Sequence, residues 1–183
     1  MTEAGCAPSA RRLFFALWPD ATLRSNAAGR VAALVPPGGG RPQRPDQLHV
    51  TLVFLGRVSE ERLDNVRAVA VEVKGTAFTF ALDCLEHWRK PGVLCLTASN
   101  VPPPLTSVVE RLRATLADRG LPTESRPYRP HLTLARKVGH FERPVEVEPL
   151  LWRADAITLV ESRTDREGSR YEPLASWPLE VER

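Results

Sequence analysis

Two stretches of this chain open with the same pattern, HVTLVFLG at 49–56 and HLTLARKV at 131–138. A repeated His-x-Thr-Leu inside apolar runs limits the fold more than any other feature. Along a strand, residues i and i+2 share a face and i+3 lies on the other. His49 and Thr51 therefore project together, and so do His131 and Thr133. Leu52 and Leu134 point the opposite way. Each strand thus has an apolar face to cover and a polar pair to leave open. Sheet covered by helices on one side, with a groove on the other, meets both needs. The second copy follows 82 positions after the first. That period is too long, and occurs too few times, for a solenoid. It reads as a weak internal duplication.

The rest of the chain supplies matching elements. RLFFALW (12–18) reads as a buried strand closed by Pro19. Asp20 is placed to cap a helix running to about Val35, with Leu23, Ala27, Val31 and Leu34 on one face. PPGGGRPQRPDQ (36–47) is loop by composition. LHVTLVFL is a strand ending at Gly56. Ser59 is placed to cap a second helix striped by Leu63, Val66, Ala70 and Val73. Strands follow near 77–88 and 92–99. A third helix, about 105–119, carries Val108, Val109, Leu112 and Leu116 and stops at Gly120. PTESRPYRP (122–130) is extended loop leading into the second motif. Strands near 154–162 and 170–179 close the chain around a polar turn with Gly168, and a short helix is expected near 146–151. The order β-α-β-α-β-β-α-β-β-β predicts an α+β fold, with helices on one side of mainly antiparallel sheet. Without a linker or a low-complexity segment, residues 1–183 read as a single domain.

Bulk properties exclude several classes. No apolar run approaches the ~20 residues that span a bilayer. Trp18-Pro19-Asp20 follows the first apolar segment where a leader would need small residues, so cytoplasmic localisation is expected. Cys6, Cys84 and Cys95 are odd in number and lack CxxC spacing. They read as buried or incidental thiols, neither a disulfide framework nor a zinc site. The net charge of +3 permits an anionic substrate. The basic set is almost entirely arginine, which grips phosphate bidentately, although high-GC coding would produce the same bias. There is no HExxH, P-loop, GxGxxG or GxSxG, so metal, ATP, NAD and Ser/His/Asp chemistries lack support.

The paired motifs do suggest a chemistry. Imidazole titrates near neutrality, and a threonine hydroxyl can donate to a phosphate oxygen. Two such units facing each other supply an acid, a base and two oxygen-binding groups. That set suits in-line displacement at phosphorus, one histidine activating the nucleophile and the other protonating the leaving oxygen. The hydroxyls and an arginine are enough to hold the charge without a metal or other cofactor. His87 and His140 lack a threonine two places on and read as surface residues.

HVTLVFLG and RPHLTLAR resemble the two signature motifs of the two-histidine phosphoesterases. Within that superfamily the chain resembles the RNA 2′,3′-cyclic phosphodiesterases, historically called 2′-5′ RNA ligases. RLFFALWP and SRYEPLASWPL are similar to that group's first and last strands, so the resemblance covers nearly the whole chain. It implies a bilobal fold, two antiparallel sheets facing across a central groove with helices outside. It implies hydrolysis of a 2′,3′-cyclic phosphate at an RNA end to a 2′-phosphate. By the same resemblance His49 is the proton donor to the leaving 3′ oxygen, His131 the base that activates water, Thr51 and Thr133 the phosphate-holding hydroxyls, and Arg136 a phosphate contact.

Strict alternation puts Arg136 on the face opposite His131, unless a bulge or strand end re-aims it. It also favours core packing of Phe54 with Leu52 over the alternative, stacking on an unpaired base. Tyr128 is a candidate for stacking on an unpaired base, and Arg126 and Arg129 are candidates to steer an RNA backbone. The partner is RNA with a 2′,3′-cyclic phosphate end or a small cyclic nucleotide, taken up by a monomer. Two other readings stand beside hydrolysis. One is 2′-5′ ligation by the same site in reverse, and the other is a non-catalytic RNA- or nucleotide-binding module.

Overall fold

A computed structural model describes residues 10–141, 144–165 and 168–180. Cys6 with the rest of residues 1–9, and positions 166–167 of the expected polar turn, lie outside them. The chain opens with β1 (Ala10–Leu17), buried on both faces. Leu13, Phe15 and Leu17 enter the main core, while Phe14 and Ala16 join Val160, Trp18, Phe54 and Tyr171 on the other face. A continuous apolar run is what a strand covered on both sides requires. α1 (Ala21–Leu34) starts where expected, with the Asp20 carboxylate accepting the Leu23 N–H at 2.7 Å. β2 (Arg41–Pro42) and a 3-10 turn at Pro45–Gln47 occupy the glycine- and arginine-rich loop.

β3 (Val50–Ser59) outruns its expected end at Gly56. Gly56 has φ of 75° and lets the strand bend and continue, a conformation that a side chain resists. Ser59 makes no capping bond. A 3-10 turn at Glu60–Arg62 intervenes before α2 (Leu63–Glu72). β4 (Phe78–Trp88), β5 (Val93–Thr97) and α3 (Pro103–Asp118) follow. The prolines that end the β5 segment also form the first turn of α3, where a missing N–H is harmless. Then come β6 (His131–Arg136), β7 (Val145–Ala154), β8 (Ala156–Asp165) and β9 (Gly168–Pro178).

The short helix expected near 146–151 is instead part of β7. Leu150, Trp152 and Ala154 are buried at period two, the strand periodicity. β7 pairs only with β4, so Pro149 sits on an edge strand where it is tolerated.

The sheet order is β7-β4-β5-β6-β3-β1-β8-β9, with β2 attached to β6. All these pairs are antiparallel. The two expected sheets are thus two four-stranded halves, and they are continuous. Between β6 and β3 the ladder is the pair Val50↔Leu132, and a parallel bridge Thr76↔Glu180 links the residues before β4 to those after β9. The helices cover the face away from the histidines. Leu105, Val108, Val109, Leu112 and Leu116 of α3 are buried. α3 packs on β3 in the opposite half from β5, and α1 likewise leaves β1 to touch β6 and β7. This crossing clamps the halves where the backbone ladder is thin. Among the described residues no helix is long and apolar enough to cross a membrane.

Candidate active site

The pair that joins β3 to β6 is formed by the middle residues of the two motifs, Val50 of His-Val-Thr and Leu132 of His-Leu-Thr. In an antiparallel register this aligns His49 with Thr133 and Thr51 with His131. The two motifs are therefore related by an approximate two-fold axis through the junction, and each histidine is matched with the other motif's threonine.

Each motif also contains a bulge at its leucine. β1 pairs Phe15 with Val53 and Ala16 with Thr51, which leaves Leu52 as the extra residue. β5 pairs Leu94 with Ala135 and Cys95 with Thr133, which leaves Leu134 extra. A bulge adds one residue and re-aims everything after it. Consecutive residues Leu52-Val53 and Leu134-Ala135 are accordingly all buried. Strict alternation fails at the same offset in both strands. Arg136, five places after His131, returns to the histidine face and lines the groove, and Phe54, five places after His49, does the same. The expected core position of Phe54 is thus corrected, and Arg136 is re-aimed by the bulge that alternation required.

The two imidazoles are held alike. His49 Nδ1 lies 2.7 Å from the Gln47 carbonyl, and His131 Nδ1 lies 2.9 Å from the Arg129 carbonyl. A carbonyl only accepts, so Nδ1 carries the hydrogen in both rings and Nε2 is the unprotonated nitrogen of each. His131 lines the groove, and His49 is not among its lining residues. Both rings are half-buried among aromatics. Trp18 stacks on His49 at 5.7 Å, with Tyr171 at 4.8 Å and Phe14 at 5.0 Å. Trp88 lies 4.5 Å from His131. Burial pushes His49 down to about 4, against the pull of the Gln47 carbonyl, with His131 and Arg136 adding repulsion. Burial also lowers His131, and Arg136, Arg129 and Arg126 act in the same direction. In the free protein both imidazoles are neutral at pH 7, each presenting a basic Nε2.

Glu86 organises the surroundings of His131. It accepts from Trp88 Nε1 at 2.9 Å, from the Thr97 hydroxyl at 3.0 Å, and from Arg129 at 2.9 and 3.1 Å. Trp88 packs on His131, Thr97 is its register partner, and Arg129 supplies the Nδ1 acceptor. The loop at 36–47 braces the same strand. Arg41 pairs with Arg136, and the Gln43 N–H reaches the Leu134 carbonyl at 2.8 Å, at the bulge. The 3-10 turn that follows ends in Gln47, whose carbonyl orients His49.

A cavity of about 720 Å³ lies along this face, and Thr51, Phe54, Trp88, His131 and Arg136 are among its lining residues. Thr133 is half-buried beside Cys95. Burial pushes the Cys95 thiol up to about 12, as the reading of an inert thiol requires. His87 is half-buried rather than on the surface, its Nε2 3.2 Å from the Val138 carbonyl, while His140 is exposed. Among the described residues no three His, Cys, Asp or Glu side chains converge as metal ligands.

Reasoning from sequence missed Trp18, Trp88, Tyr171 and Glu86. Trp18 directly follows the first strand, and Trp88 and Glu86 alternate on β4, so both strands carried a polar-aromatic signal. Nothing local pointed to Tyr171, because β9 reaches His49 only through the sheet order.

A family model described as the 2′-5′ RNA ligase superfamily matches residues 23–166. The RNA 2′,3′-cyclic phosphodiesterase of Escherichia coli strain K12 is 33% identical over 173 residues, covering 92% of this chain and 97% of that protein. The Thermus thermophilus protein of the same name is 28% identical over 187 residues, covering 93% and 91%. The crystal structure of Escherichia coli LigT in apo form superposes with a TM-score of 0.83 at 31% identity, over 95% of this chain and 99% of that one. Its complex with 3′-AMP gives 0.82 at 32% identity, over 93% and 99%.

Proposed function

Because the chain belongs to the 2′-5′ RNA ligase superfamily, we propose that it hydrolyses 2′,3′-cyclic phosphate ends of RNA to 2′-phosphomonoesters. One observation carries this reading. Two imidazoles have matching Nδ1–carbonyl bonds that leave Nε2 free of them, across a register that aligns each with the other's threonine.

His49, once protonated, donates to the departing 3′ oxygen, and neutral His131 takes the proton from the attacking water. Thr51 and Thr133 donate hydrogen bonds to the non-bridging oxygens, and Arg136 neutralises their charge. The P–O3′ bond breaks as the P–O(water) bond forms, and the phosphate remains on O2′. The bound anion supports this division of labour, because a negative charge beside His49 raises its proton affinity where burial had lowered it. Phe54 offers a face for the terminal base. With a 5′-hydroxyl in place of water, the same groups break P–O3′ as a P–O5′ bond forms, giving a 2′-5′ linkage, as the family's description suggests. We propose a cytoplasmic monomer. Its exposed large apolar residues among those described, Val71, Val145 and Leu151, are spread along the chain on α2 and β7.

The test uses purified protein in EDTA with an RNA ending in a 2′,3′-cyclic phosphate. Wild type should yield the 2′-phosphate. His49→Ala and His131→Ala should each lose about 10²–10⁴ in kcat, the usual worth of a general acid or base. A 3′-phosphate product, or full turnover by either variant, would overturn the assignment.

A further inference from the structure

Five arginines line the cavity, and their partners divide them. Arg126 is bound to Glu124 at 2.7 Å and Arg129 to Glu86 at 2.9 Å. Arg12, Arg113 and Arg136 have no carboxylate within 4 Å among the described residues. Arg136 is accounted for by the reacting phosphate. Two cations that line the cavity, Arg12 and Arg113, are left over from the reaction.

Arg113 is fixed in place. It stands on α3, and its guanidinium donates to the Arg126 carbonyl at 2.9 Å, yet its Nε is buried without a hydrogen-bond partner. The Tyr128 hydroxyl is likewise buried and unpartnered. Arg113 and Tyr128 line the same cavity. Leaving a buried donor unsatisfied is unfavourable, and two together on a groove wall mark a place for an acceptor. Arg12, from β1, lies 4.9 Å over the Phe54 ring, so a cation stands beside the aromatic face offered to the base. A cavity of about 720 Å³ also exceeds the roughly 300 Å³ at which ligand clefts begin, leaving room beyond one nucleotide.

We propose that Arg113 and Tyr128, with Arg12, form a second anion subsite for the phosphodiester that joins the terminal nucleotide of an RNA to the one before it. Resting on the hydrolytic reading above, this names the substrate as an oligonucleotide end in preference to a free cyclic mononucleotide. Phosphate is the acceptor that suits two guanidinium groups and a hydroxyl, since guanidinium matches its geometry in a fork.

The experiment compares adenosine 2′,3′-cyclic phosphate with the dinucleotide ApA ending in a 2′,3′-cyclic phosphate. Wild type should favour the dinucleotide in kcat/KM by about tenfold or more, the worth of one or two charge-assisted hydrogen bonds. In Tyr128→Phe, which keeps the ring and its packing, and in Arg113→Gln, that ratio should fall toward one. The dinucleotide's salt dependence should flatten in Arg113→Gln. A wild-type ratio near one, or a ratio unchanged in both variants, overturns the subsite. A parallel titration uses ApA with an unreactive 3′-phosphate against adenosine 3′-monophosphate. If neither cyclic substrate is turned over, but ApA binds more tightly and Tyr128→Phe removes the difference, the hydrolytic reading fails and the subsite stands.

Discussion

His49 and His131 both lie below the ordinary imidazole value of 6.5, His49 at about 4. A histidine whose pKa is depressed loses its proton as pH rises through the lowered value. On the proposed roles the reactive free enzyme has His49 protonated and His131 neutral. With His49 the weaker base, that form peaks between the two apparent values of the coupled pair. We therefore expect kcat/KM to be bell-shaped with its optimum below pH 6.5. The kcat optimum should lie higher, because bound phosphate raises both groups. Arg136 depresses both histidines, so Arg136→Gln should move the kcat/KM optimum to higher pH as well as weaken binding. Rate profiles from pH 4 to 9 check this, and a wild-type kcat/KM optimum above 7 would refute it. At this scale the histidines and threonines were legible because the motif occurs twice. The depressed pKa values were not, since they arise from Trp18, Tyr171 and Trp88 packing in from other strands.

Among the elements, the two bulges and the strap beside β6 decide what reaches the groove. Leu52-Val53 and Leu134-Ala135 are apolar pairs, and nothing in such a pair says that both side chains are buried. Only the ladders with β1 and β5 reveal it. The strap depends on Gly40, which has φ of 111°. A Cβ there would lie 2.7 Å from the Arg136 carbonyl oxygen and 2.9 Å from Val138 Cγ2. Gly40→Ala combines that clash with a backbone conformation that favours glycine. It should lower stability by about 1–3 kcal/mol and kcat/KM by roughly tenfold, since Arg136 would shift with its strand. Denaturant titration and steady-state kinetics read the two effects, and an unchanged variant would show that the strap does not brace the site. The loop's composition identified it as a loop. Its role as a strand partner came from the sheet.

For the whole molecule, one ladder pair and one isolated bridge join the two halves among the described residues, and α1 and α3 each cross to the half opposite the strand that precedes them. Two lobes held only by Val50↔Leu132 and Thr76↔Glu180 would separate independently. Lobes sharing one core should unfold together. We expect tryptophan fluorescence and far-UV circular dichroism to report one coincident urea transition. Leu112→Ala on α3, at a fully buried site, should lower the midpoint by the equivalent of about 2–5 kcal/mol. Two separated transitions would mean that the crossing helices do not couple the halves. Stability should also decline as pH falls from 6.5 toward 4. The unfolded chain there binds protons that the buried His49 takes up only near 4 in the fold. The sequence by itself determined the α+β class and the order of the three helices and seven of the nine strands among the described residues, and it singled out the two repeated motifs, because hydrophobic period and a repeated tetrapeptide are local properties. The tertiary structure alone decided that the two sheets are continuous, that Phe54 and Arg136 share the groove, and that Arg12, Arg113 and Arg136 line one cavity without a carboxylate partner among the described residues. Those outcomes depend on which strands become neighbours, and pairing between distant segments is not written in any one of them.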